Sequence, residues 1–101
     1  MFKSGGYNVY PREVELALEE HKNVKMAAVI SVPDLTFQEV GIAYVMGTEK
    51  DTPNPDELRA FVAQRLANYK IPKQILLLEE LPLLDIGKVD KKALRAFHDS
   101  S

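Results

Sequence analysis

The sequence has no cysteine and no tryptophan, only two histidines, and no excess of basic residues. Without cysteine there can be no disulfide framework and no thiolate chemistry. That fits a reducing compartment, and a cytoplasmic location is expected. No apolar run approaches the roughly 20 residues of a membrane-spanning helix, and Met1–Gly6 lacks the apolar centre of a signal peptide. With 13 basic and 15 acidic residues the net charge is −2, so the basic field on which general nucleic-acid binding rests is missing. No nucleic acid is expected as a partner, and no membrane span is expected. No cluster of metal-ligand side chains stands out, so no metal site is assigned.

At 101 residues the chain makes one small domain with a thin core and little room for a deep cleft. It opens with a glycine pair, Gly5-Gly6, which reads as a turn, followed by an extended Tyr7–Tyr10. Pro11 suits the first position of a helix, and Glu13 and Glu15 follow in its first turn. Val14, Ala17, Leu18 and His21 then share one helical face. VKMAAVISV (24–32) and VGIAYVM (40–46) read as two buried strands, antiparallel across a loop of about six residues that carries Phe37. Met26 and Met46 are core filler.

Gly47–Asn54 is a polar loop. Asn54-Pro55-Asp56-Glu57 is a strong helix start, and Leu58, Phe61, Val62, Leu66 and Tyr69 predict a helix running to about Lys70. Pro72 ends it. QILLL (74–78) is a third strand, and Asp90 caps a last helix that Leu94 and Phe97 dock. The expected fold is α+β: a sheet of about three strands with helices packed on it, preceded by a short glycine-containing arm.

The stretch LPLLDIGKVDKK (81–92) is the most informative. Pro82 stiffens its start, and Gly87 allows backbone angles forbidden to other residues. Lys88 is thereby offered on a loop as a long, mobile cation, suited to an anion such as phosphate. Lys91, Lys92 and Arg95 are expected to form a solvated helix face.

KSGGYNVYPREVE (3–15), AAVISVPD (27–34), LANYKIPK (66–73) and LPLLDIGKVDKKAL (81–94), in this order, resemble the C-terminal domain of the adenylate-forming superfamily. That superfamily includes acyl-CoA synthetases, peptide-synthetase adenylation domains and beetle luciferases. The resemblance covers essentially the whole chain, residues 1–101. It implies a lid that rotates on a large N-terminal domain, absent here, which binds ATP, Mg²⁺ and the carboxylic acid. The chain is expected to begin inside the hinge motif and to be inactive alone.

Carried over residue by residue, the resemblance makes Lys88 the adenylation lysine, with Gly87 letting its loop insert. Gly5 and Gly6 become the turn beside the pantetheine arm of CoA. Lys3 becomes a cation entering the site for the thioester step, and Asn8 a polar neighbour. Lys70 and Lys73 fall near the CoA phosphates or the large domain, and Tyr7 and Tyr10 are packing residues. GKVDKKAL suits both CoA ligases and peptide-synthetase or siderophore adenylation domains that load a carrier-protein thiol. YNVYPREVE leans toward the CoA ligases. A small nucleic-acid-binding module would need exposed aromatics on its central strands, and the sequence offers only Tyr44.

Overall fold

A computed structural model describes residues 1–50 and 52–100. The architecture is organised around one long hairpin, β3 (Val24–Asp34) and β4 (Gln38–Gly47), paired antiparallel from Val24↔Gly47 to Asp34↔Gln38. The far side of β4 carries two further strands. β1 (Phe2–Ser4), itself paired with β2 (Tyr7–Val9), meets the start of β4 at Ser4↔Gln38, and β5 (Gln74–Leu77) runs parallel to its second half. A parallel neighbour needs a crossover. Here α2 (Pro55–Ala63) supplies it.

The sheet therefore has five strands, more than the three expected. The additional pair is the glycine arm, which forms a hairpin instead of a lone extended segment. The β3–β4 turn is also tighter than expected. Pro33 lies within β3, opposite Glu39, and β3 is an edge strand, where a missing N–H costs no ladder bond. The polar loop before α2 includes Asp51, which lies outside the described residues.

Both sheet faces are covered, which explains why β3 and β4 read as continuous apolar runs instead of alternating ones. On one face Ala27, Val29, Ala43 and Val45 pack with Val14 and Leu18 of α1 (Pro11–Glu19) and Leu58 and Val62 of α2. On the other, Ala28, Ile30, Ile42 and Tyr44 pack with Leu81 and with Leu94 of α3 (Lys91–Asp99). Tyr44 is buried, so it offers no stacking platform for a nucleic-acid base.

The Asn54 side chain caps α2 by accepting from the Asp56 and Glu57 amides. The helix stops at Ala63, short of the expected Lys70; Tyr69 and Lys70 sit in a separate 3₁₀ turn, Asn68–Lys70. Tertiary contacts favour the break. Arg59 donates to the Pro72 and Lys73 carbonyls at 2.7 and 2.9 Å, folding the chain back along α2. Tyr69 stacks on Tyr7 at 4.5 Å between ring centres.

Candidate functional site

Two exposed hairpins carry the candidate residues. The first is Ser4-Gly5-Gly6-Tyr7. Gly5 and Gly6 have φ of 57° and 87°, and a two-residue turn with both central φ positive matches the twist of the strands it joins. A Cβ on Gly6 would meet nothing, whereas one on Gly5 would come 3.2 Å from the Phe37 ring. At Gly6 only the backbone angle favours glycine; at Gly5 a Cβ would also press on the Phe37 ring, which would have to give by a few tenths of an ångström. Phe2 and Val9 point into the core, which leaves their alternates, Lys3 and Asn8, paired in register on the exposed face. Directly opposed strand residues have Cβ atoms roughly 5 Å apart. Lys3 has no ion-pair partner among the described residues.

The β3–β4 turn braces this hairpin. Asp34 accepts from the Thr36 and Phe37 amides, both at 3.0 Å, and binds Lys73 at 2.8 Å. The Lys73 ammonium, helped by those amides, holds the Asp34 carboxyl below its usual range. Gln38 takes φ 71°, a strained value for a residue with a side chain. The Phe37 carbonyl thereby receives both the Gly5 amide at 2.7 Å and the Glu39 amide at 2.9 Å. Sequence reasoning missed Asp34 and Gln38; an Asp two and three residues before turn amides was the available signal.

A cleft of about 750 Å³ lies beside the glycine hairpin, lined by Gly5, Tyr7, Phe37, Tyr69, Lys70 and Pro72 among others. Lys70 is not a free cation there. It pairs with Glu13 at 2.9 Å, and this bond, opposed by partial desolvation, raises its pKa. Tyr7 and Tyr10 are both more than half exposed; Tyr7 stacks on Tyr69.

The second hairpin holds Lys88. The Asp90 amide donates to Pro82 and the Leu84 amide to Lys88, and Leu83 bridges Val89. The Gly87 amide closes the turn onto the Leu84 carbonyl at 2.8 Å, with φ 87°. This is the three-residue connection that ends in a left-handed residue, a role glycine fills without strain. Asp90 caps α3 through the Ala93 amide at 3.1 Å. The Lys88 side chain is exposed and makes no hydrogen bond or ion pair among the described residues.

Lys88 and Gly87 line a second cleft, together with Arg12, Glu15, Glu19 and Lys91. It shares no lining residue with the first. One expectation changes here and another is refined. Glu15 does not sit free in the first turn of α1: it is buried and accepts the Val29 amide at 2.9 Å. Lys91 is exposed, as expected, but it is also paired: its ammonium lies 2.7 Å from Glu15. Lys92 and Arg95 are exposed, as expected.

Among the described residues no group of three or more His, Cys, Asp or Glu is placed to hold a metal ion. No helix among them is long and apolar enough to cross a membrane.

A small mixed sheet covered on both faces, with a lysine hairpin and a glycine hairpin projecting from it, defines the class. The chain belongs to the AMP-binding enzyme C-terminal domain family of the adenylate-forming enzymes, matching over residues 13–88. It is 46% identical over 95 residues to the 3-[(3aS,4S,7aS)-7a-methyl-1,5-dioxo-octahydro-1H-inden-4-yl]propanoyl:CoA ligase of Rhodococcus jostii, covering 94% of this chain and 18% of that one. It is 41% identical over 95 residues to a 2-succinylbenzoate–CoA ligase of Listeria monocytogenes, covering 94% and 20%. Among solved structures, ATP-bound MatB from Rhodopseudomonas palustris superposes with a TM-score of 0.88 at 33% identity, covering 94% of this chain and 19% of that one. The chain thus spans about a fifth of the length of these relatives.

Proposed function

We propose that this chain is the mobile C-terminal lid of an AMP-forming acid–CoA ligase, and that its two hairpins serve the two half-reactions. The observation that carries the reading is Lys88: an exposed ammonium, unpaired among the described residues, on a glycine-turned hairpin in a chain of this family. In the first half-reaction an acid carboxylate attacks the α-phosphorus of ATP and pyrophosphate leaves. Two anions must approach while negative charge grows on the phosphoryl oxygens. An ammonium delivered to those oxygens stabilises the transition state more than the separated ground state. Lys88 delivers it.

In the second half-reaction the CoA sulfur attacks the acyl carbon and AMP departs. The lid then presents its other hairpin. Gly5 and Gly6 let the backbone lie close to the pantetheine arm, Lys3 faces the departing adenylate, and Asn8 stands beside it. Lys70 fastens its turn to Glu13 and has a structural share in this reading. The N-terminal domain would hold ATP, Mg²⁺ and the acid, so no step is assigned to a metal held by these residues. By itself the chain is catalytically silent. Both curated relatives above are named as CoA ligases, which favours CoA over a carrier-protein thiol as acceptor. Their acids differ, and the acid pocket belongs to the proposed N-terminal domain. A cytoplasmic setting goes with this proposal.

Lys88→Ala in the full ligase tests the role. Adenylate formation, followed by ATP–pyrophosphate exchange, should fall about 10²–10³-fold, the usual cost of one transition-state donor. Conversion of preformed acyl-adenylate to thioester should survive. Equal loss in both steps would reject the assignment.

A further inference from the structure

The lysine hairpin is fastened at its base by a pair to which the proposed chemistry assigns no role. Glu15 is the one buried charged residue among those described, with 4% of its surface exposed. It is fully engaged: the Val29 amide at 2.9 Å, Arg12 at 3.3 Å and Lys91 at 2.7 Å. Lys91 opens α3, where the helix's own positive end disfavours a cation. Its position makes electrostatic sense only through Glu15. Asp90, just before it, both caps α3 and closes the hairpin stem onto Pro82. The Glu15–Lys91 bond therefore fixes where the stem meets α1 and β3, three residues from Lys88.

The pair also settles a competition. Lys88 lines the same cleft as Glu15 and Glu19, and a free carboxylate there would attract its ammonium. Arg12 bridges Glu15 and Glu19, at 3.3 and 3.4 Å, and Lys91 takes the remaining side of Glu15. Two cations thus match two carboxylates, and Lys88 is left without an ion pair among the described residues.

We infer that Glu15 and Lys91 are positioning residues for adenylation, holding the hairpin in place and keeping the Lys88 ammonium available. This rests on the reading of Lys88 given above. In the full ligase, Lys91→Gln should slow adenylate formation roughly 10- to 100-fold, the scale of a misplacement of about 1 Å. The adenylate-to-thioester step should hold, and Lys91→Arg should restore most of the loss. Glu15→Gln keeps an acceptor for the Val29 amide and should behave like Lys91→Gln; because Glu15 is buried and could fail to fold when changed, the exposed Lys91 is the primary site. Amide hydrogen exchange at Leu84 and Gly87 should quicken about tenfold in Lys91→Gln, while the β3–β4 ladder stays protected. Unchanged adenylation together with unchanged exchange at those two amides would overturn the inference, as would parallel loss of both half-reactions with a lowered Tm. If Lys88→Ala leaves adenylation intact, the reading of Lys88 fails instead, and hydrogen exchange still decides whether the tether exists.

Discussion

At the scale of single residues, charge placement separates unpaired cations from paired ones among the described residues. Lys3 and Lys88 are exposed and unpaired among the described residues, whereas Lys70, Lys73 and Lys91 are each bound to a carboxylate within 3 Å. Asp34 shows what such a bond does. Lys73 holds the folded-state pKa of Asp34 below the model-peptide value of 3.8. The stability this contributes is therefore complete above that value and is lost as pH falls through the lower, folded one. Asp34→Asn retains an acceptor for the Thr36 and Phe37 amides but cannot titrate. It should flatten the acid limb of a plot of unfolding free energy against pH below about 4. An unchanged acid limb would show that the Asp34–Lys73 bond is not maintained in solution.

Individual elements differ in how much of them local sequence could specify. The start of α2 was legible because Asn54, Pro55 and Glu57 each act within one turn, and β3 and β4 because burial on both faces demands unbroken apolar runs. The end of α2 was not, because it depends on Arg59 reaching Pro72 and on Tyr69 reaching Tyr7, contacts between residues far apart in the chain. For the same reason Glu15 and Lys91 looked like ordinary surface charges: a buried partner 76 residues away leaves no trace in spacing. The glycines and Lys88 were legible as turn chemistry, and their roles came from the family motif. α3 is docked through one face. Leu94 is its buried residue, with Phe97 edge-on to Tyr44 at 6.0 Å and His98 3.4 Å from the Tyr44 hydroxyl. Leu94→Ala should cost about 2–5 kcal/mol in urea unfolding, the range for a buried leucine. A cost below about 1 kcal/mol would mean that α3 is not docked on the Tyr44 face.

At the scale of the whole molecule, the two hairpins line separate clefts on one rigid two-faced sheet. Under the proposed function, one small body would present either hairpin to a common centre by turning, with no internal rearrangement. The most direct test compares two variants across two half-reactions in the full ligase. Gly6→Val puts a β-branched side chain where φ is 87° and nothing crowds a Cβ, so it perturbs the turn's conformation and outer surface and leaves the core untouched. We expect the effects to cross over. Gly6→Val should slow thioester formation from preformed adenylate by about tenfold or more while sparing adenylation, and Lys88→Ala should do the reverse. Two variants that slow the same half-reaction would contradict the account.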